Sequence, residues 1–124
     1  MNRYLLVFLG GGAGSMLRYL VGTAITARYS GRFPLGTVII NITGSFLIGV
    51  VMTMITQRLD GHPHLRLLLV VGVLGGYTTF STFEYETYYA VRSGQQWLGL
   101  LNVVGSVVMG YLAVWLGAFM AGRI

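Results

Sequence analysis

A run of glycines, hydroxyl-bearing residues and two phenylalanines lies inside a long apolar segment, and these residue types are suited to binding ions. It extends from Gly75 to Glu84 and reads GGYTTFSTFE. Adjacent glycines weaken a helix by about 1 kcal/mol each relative to alanine, whereas threonine and serine favour helix starts. We therefore predict one helix that ends near Gly75 and a second that begins between Thr79 and Ser81. Ser81 and Glu84 have the spacing of a capping box for that second helix.

An interrupted helix inside a bilayer is typical of ion and substrate sites, because unpaired backbone groups persist there only where protein or water satisfies them. Carbonyl groups at the end of the first half-helix can hold a cation, and the N-terminus of the second favours an anion. Phe80 and Phe83 share one face of the second half-helix. Because the edge of an aromatic ring is positive, these rings can contact a small anion without the full charge that would trap it.

Arg18 is a charged residue deep inside the first apolar segment. It lies ten residues from the segment end at Arg28, about 15 Å along a helix, which is too deep for easy snorkelling. A wet cavity that attracts anions would explain it, and so would a pair with Asp60, Glu84 or Glu86. We favour the cavity, because these are the only carboxylate side chains in the chain.

Asn41, Asn102 and Ser106 are polar residues in apolar surroundings. The Asn41 amide supplies two donors that can face an anion, and Asn102 and Ser106, at i and i+4, can extend a polar line. Hydrogen bonds between helices account for all three as well. From these residues alone, helix packing is the better interpretation.

The composition predicts an integral membrane protein. Of 124 residues, 55% are hydrophobic and 9% charged, and the mean hydropathy is +0.73. The net charge of +5 comes from arginines that are scattered at segment ends, which argues against a nucleic-acid partner. The absence of cysteine excludes disulfides and thiolate metal sites. No arrangement of residues suggests a nucleophile, a phosphate loop or an acid–base pair, so we do not expect an enzyme.

Four apolar segments predict an all-α membrane protein with four transmembrane helices, the third of them broken, in one domain over residues 1–124. The segments cover about residues 4–27, 33–56, 65–90 and 97–121, and each exceeds the ~20 residues that cross a bilayer. Small-residue stripes, such as Gly10 and Gly14, favour close helix association. We expect a homo-oligomer surrounded by lipid.

The arginines give no clear orientation in the membrane. Four lie on the N-terminal side of the predicted helices and three on the other, which is almost no bias under the positive-inside rule. One strongly hydrophobic helix that sets the topology would explain this balance. Insertion in both orientations, with pairing as an antiparallel dimer, would explain it equally well.

The chain resembles the Fluc/CrcB family of fluoride channels along its whole length. Three stretches carry the resemblance: Gly11-Gly12 to Arg18-Tyr19, Gly36-Thr37 through Asn41 to Gly44-Ser45-Phe46, and Gly75 to Phe83. It implies an antiparallel, dual-topology homodimer with two pores in a microbial plasma membrane. Such a channel lets fluoride leave the cytoplasm passively and so reduces its toxicity.

The resemblance also implies roles for individual residues. Phe80 and Phe83 match a pair of pore phenylalanines, Asn41 a pore asparagine, and Arg18 a vestibule arginine. Ser81 and Thr82 match pore-lining hydroxyls, and Asn102 and Ser106 are candidates to continue the pore on the fourth helix. The carbonyls of Gly75 and Thr78 match the groups that hold a structural sodium ion at the dimer interface.

Two other functions remain open from the residues. A small transporter or drug exporter would depend on a proton gradient, but a proton-coupled exporter of cations would be expected to carry a carboxylate in its first helix, where this chain has Arg18 instead. An assembly subunit that transports nothing would show no ion flux.

Overall fold

The computed structural model describes residues 2–123, which form helices joined by short loops, with no strand in that range. Four stretches are long and apolar enough to cross a membrane: helix α1 (Arg3–Thr26), helix α2 (Leu35–Arg58), the third span (Pro63–Arg92) and, as the last helix, α6 (Gln96–Arg123). The predicted bounds agree with these within two residues at each end. The chain is therefore an all-helical, multi-pass membrane protein.

The third span is composite. Its first half contains α3 (Pro63–Leu65), a π-helical stretch (Arg66–Leu74) and α4 (Gly75–Tyr77), and its second half is α5 (Phe80–Arg92). Between the halves, Thr78 (φ −81°, ψ 157°) and Thr79 (φ −148°, ψ 118°) are extended. The predicted interruption is therefore present, although the first half continues two residues, about half a turn, beyond its predicted end near Gly75.

Glycine packing explains why the first half does not end at Gly75. A side chain at Gly76 would collide with the backbone of Gly11 in α1, and one at Gly10 would overlap the carbonyl oxygen of Leu68. These glycines let α1 and the first half of the third span approach closely, as small residues do in membranes. The contact stabilises helix where the glycines alone would weaken it.

Thr79, and not Ser81, caps the second half-helix. The Thr79 hydroxyl accepts a hydrogen bond from the Thr82 amide (3.4 Å) and donates one to the Thr82 hydroxyl (2.9 Å). The predicted capping box of Ser81 and Glu84 is therefore wrong. Because Thr79 is already extended, its side chain is the one that reaches the free amides of the first turn.

Most large apolar side chains point outward, and few are buried. Residues below 10% exposure include Leu6, Ile40, Ile55, Leu74 and Phe83. The inner contacts instead consist largely of glycine against backbone, as between Gly49 and Val114 or between Gly117 and Phe46. This distribution suits a membrane protein, in which small residues let the helices approach closely and large apolar side chains face the lipid.

Candidate ion-conduction site

A cavity of about 370 Å³ lies beside the interruption and faces out of the chain. It brings together six residues that were singled out in the sequence: Asn41, Gly75, Thr78, Phe80, Phe83 and Ser106. They come from the second, third and fourth spans, so only the packed fold unites them. Polar backbone, aromatic rings and hydroxyl-bearing side chains therefore meet in a largely apolar space.

Asn41 holds the extended residue Thr79 through both of its amide groups. Its Nδ2 donates to the Thr79 carbonyl oxygen (2.9 Å), and its Oδ1 accepts from the Thr79 amide (2.8 Å). In an unbroken helix that amide would donate to the carbonyl of Gly75. Asn41 thus keeps the helix interrupted and releases the Gly75 carbonyl for another partner.

Phe80 and Phe83 lie in contact but in different environments. Their ring centroids are 5.7 Å apart and the ring planes are tilted by 41°. Phe83 is 6% exposed, whereas Phe80 is 74% exposed. The shared face expected from their spacing therefore exists, with the inner ring fixed by the chain and the outer ring projecting beyond it.

Arg18 donates from its Nη1 to the carbonyl oxygen of Thr78 over 3.2 Å. The same side chain lines a second cavity of about 660 Å³, between the first, second and third spans. A cavity at Arg18 is therefore present, and among the described residues the hydrogen-bond partner of Arg18 is the interrupted backbone and not a carboxylate. Arg18 gives this cavity a permanent positive charge.

Glu86 lines the second cavity together with Thr37 and Thr82, and the sequence reasoning did not include it among the site residues. The Thr37 hydroxyl donates to Glu86 Oε1 (2.8 Å), whereas Oε2 is buried without a hydrogen-bond partner among the described residues. Spacing could have revealed it, because Thr79, Thr82 and Glu86 occupy one face of α5, and a carboxylate within an apolar span is a functional signal.

The two cavities meet at Thr79, which lines both of them. On one side are Arg18 and the Thr82 hydroxyl, and on the other are the two rings. An ion that passed from the charged cavity to the aromatic one would therefore pass the interruption itself.

Of the remaining candidate residues, Asn102 is buried in the contact between two helices and Ser81 lies on the surface. Asn102 is 1% exposed, donates to the Thr87 hydroxyl (2.9 Å) and accepts from the Ser106 hydroxyl (3.3 Å). Thr87 in turn donates to the carbonyl of Phe83 (2.8 Å), so this chain of bonds ties α6 to α5. Ser81 is exposed and lines neither cavity.

These features define a class of protein: a small multi-pass membrane protein with an arginine, hydroxyl groups and aromatic rings gathered at a broken span. Residues 5–118 match the family described as "CrcB-like protein, Camphor Resistance (CrcB)". Since that match covers most of the sequence, the chain belongs to this family, as its three motifs predicted.

Relatives of nearly the same length carry a more specific name. The protein named "Fluoride-specific ion channel FluC" of Solibacter usitatus is 62% identical, over 98% of this chain and 99% of its own. Proteins of the same name from Acidobacterium capsulatum and Hydrogenobaculum sp. are 48% and 46% identical, over 96–98% of both chains. These relatives are named as ion channels, which agrees with the prediction that the chain is not an enzyme.

Proposed function

We propose that this protein is a passive, fluoride-selective channel that lets fluoride leave the cytoplasm and so lowers its toxicity. The observation that carries the proposal is the interruption at Thr78 and Thr79, which lies between a cavity lined by the half-buried Arg18 and a cavity lined by two aromatic rings. The names of the relatives support fluoride as the ion. The channel changes no bond in its substrate.

The proposed path begins at Arg18, whose charge concentrates anions in the second cavity. The anion then loses water as the hydroxyl of Thr82 and the one N–H that Asn41 does not use for Thr79 replace it. Beyond the interruption it meets the edges of Phe80 and Phe83 and the hydroxyl of Ser106. These contacts are favourable and individually weak, which allows the ion to leave again.

We further propose that a structural sodium ion is held by the carbonyls of Gly75 and Thr78. Both residues line the first cavity. The Thr79 amide that would donate to the Gly75 carbonyl in a continuous helix donates to Asn41 instead. Carbonyl oxygens of the kind that bind cations are therefore present. Hard cations take several oxygen ligands, and a second copy of the chain would supply two more carbonyls. The ion would hold the two chains together.

The same surface supports the proposal of an antiparallel, dual-topology homodimer. The outer ring of Phe80 and the backbone of Gly75 are exposed at the mouth of the first cavity, and the nearly even division of arginines permits both orientations. A second chain would cover this mouth and complete two pores, each built from residues of both chains. Ser81, which lines neither cavity of one chain, would then be available to the partner's pore.

The test is fluoride release from liposomes that contain only the purified protein, read with a fluoride-selective electrode. The pH is kept high enough that the neutral acid, which crosses lipid unaided, is negligible, and chloride release is the control. We expect fluoride release without a proton gradient and little chloride release. Release that requires a proton gradient would indicate a coupled transporter, and no release of either ion would leave the assembly-subunit alternative.

A further inference from the structure

We propose that the guanidinium of Arg18 and the sodium ion of the proposed cation site compete for the carbonyl oxygen of Thr78, so that Arg18 limits how tightly that ion is held. This inference rests on the proposed function, which assigns Gly75 and Thr78 to sodium. It concerns a contact made within a single chain.

The contact joins the first span to the interruption of the third. Arg18 Nη1 lies 3.2 Å from the Thr78 carbonyl oxygen, and the two residues are 60 positions apart in the sequence. A guanidinium stays protonated at any pH that the protein experiences. A permanent positive charge therefore rests against one of the two oxygens that a cation would use.

The second oxygen, that of Gly75, has a different environment. The Thr79 amide that would bond to it in a continuous helix donates to Asn41 Oδ1 instead (2.8 Å). Gly75 is also exposed to the first cavity, whereas Arg18 lines the second. The two carbonyl oxygens therefore differ in their partners. The Thr78 oxygen already accepts a hydrogen bond from a positive charge, whereas the helical donor of the Gly75 oxygen is bonded elsewhere.

A carbonyl oxygen has two lone pairs, so it can accept a hydrogen bond and touch a cation at once. Two positive charges that share one oxygen nevertheless repel each other, and the repulsion is large where water and salt screen poorly. Each ligand therefore weakens the other, by the same factor in both directions. Removing the charge at position 18 should tighten sodium binding.

The competing explanation is that Arg18 holds the Thr78 carbonyl in the orientation that sodium needs. In that case the loss of Arg18 would weaken sodium binding. The two explanations predict opposite signs, so one titration separates them.

The experiment measures thermal unfolding of the purified dimer in detergent as sodium chloride replaces choline chloride at constant ionic strength. A ligand that binds only the folded state raises the unfolding temperature. Arg18→Gln removes the charge and Arg18→Lys keeps it. Arg28→Gln is the matched control, because Arg28 donates to the Ala24 carbonyl of its own helix (3.0 Å) and lines neither cavity.

For Arg18→Gln we expect the half-saturating sodium concentration to fall by at least about tenfold, which corresponds to about 1.4 kcal/mol. Arg18→Lys and Arg28→Gln should stay near the unmodified protein. An unchanged or higher half-saturating concentration in Arg18→Gln would overturn the proposal.

A measurement on the unmodified protein decides the question if Arg18→Gln does not fold. By reciprocity, sodium should release Arg18 from Thr78 and so speed its reaction with an arginine-specific dicarbonyl reagent, read by peptide mass spectrometry with Arg28 as the internal reference. Equal or slower reaction in sodium than in choline would overturn the proposal. If sodium does not stabilise the unmodified protein while fluoride release persists, the cation site and this inference fall but fluoride conduction stands.

Discussion

Replacement of Asn41 by alanine tests whether one side chain keeps the third span interrupted. The substitution removes both hydrogen bonds to Thr79, at 2.9 and 2.8 Å, and leaves a backbone N–H and a C=O unpaired. An unsatisfied buried polar group costs about 1–3 kcal/mol. Because the two Thr79 groups are only partly buried, we expect the free energy of unfolding to fall by about 1–3 kcal/mol in all. That is an appreciable part of the total stability of an ordinary domain, about 5–15 kcal/mol.

The assay pairs equilibrium unfolding of the purified protein with fluoride release from liposomes. Release should fall by at least about tenfold, equivalent to about 1.4 kcal/mol in the barrier, because Thr79 lies between the two cavities. Ser45→Ala is the control for stability, since Ser45 lines the same cavity from the same helix. Asn41→Asp keeps the acceptor for the Thr79 amide, loses the donor and adds a negative charge, so it should block release.

Three results would contradict parts of this reasoning. If Asn41→Ala changes the free energy of unfolding by less than about 0.5 kcal/mol, as ordinary surface substitutions do, Asn41 does not hold the backbone. If stability is unchanged and release is lost, Asn41 acts on the anion directly. Full release through Asn41→Asp would mean that no anion passes close to this side chain.

Three further predictions concern the rings, the second span and the orientation of the chain. Phe80→Ile and Phe83→Ile should each reduce fluoride release by about tenfold while the dimer persists, and release and size-exclusion chromatography measure this. Gly44→Ala should lower the free energy of unfolding by about 1–3 kcal/mol, as equilibrium unfolding would show, because a methyl group there overlaps the side chain of Thr78. Gly105→Ala is the control, since that position is open. Arginines added to one side should fix the orientation and abolish fluoride resistance in cells, and co-expression of the opposite design should restore it.

Each of these predictions has an outcome that would refute it. Unchanged release in both phenylalanine variants would remove the rings from the path. A Gly44→Ala protein as stable as Gly105→Ala would mean that the packing of the second span does not constrain Thr78. A chain of fixed orientation that confers resistance without its opposite would refute the antiparallel dimer.

The sequence was sufficient for the spans because each depends on local properties. Long apolar runs bounded by arginines predicted four helices, and the structure has them within two residues. The interruption was also predicted, but its limits depend on contacts from elsewhere. Gly76 is helical because it packs on α1, and the interruption falls at Thr78 and Thr79 because Asn41 and Arg18 engage their backbone.

The roles of the site residues stay predictions, and the sequence indicated only part of how these residues are arranged, for the same reason. Asn41 and Arg18 stood out because they are polar residues inside apolar segments. Their positions in the sequence could not show that both form hydrogen bonds to the backbone of the interruption. Glu86 was considered only as a possible partner of Arg18 and not as a site residue, because it lies near the end of its span, although Thr37 contacts it from another helix. Asn102 was a candidate for the pore, but it is buried and ties α6 to α5.

By itself, the amino-acid sequence determined that this chain spans a membrane four times, that the third span is weakened at a definite place, and which family it belongs to. These follow from hydropathy, local helix propensity and motif, which depend only on neighbouring residues. Only the tertiary structure decided which carbonyl is released, which is taken by Arg18, and how the two cavities meet at Thr79. Those outcomes depend on two hydrogen bonds between distant parts of the sequence: Asn41 and Thr79 are 38 positions apart, and Arg18 and Thr78 are 60 positions apart. Such bonds exist only once the helices have packed.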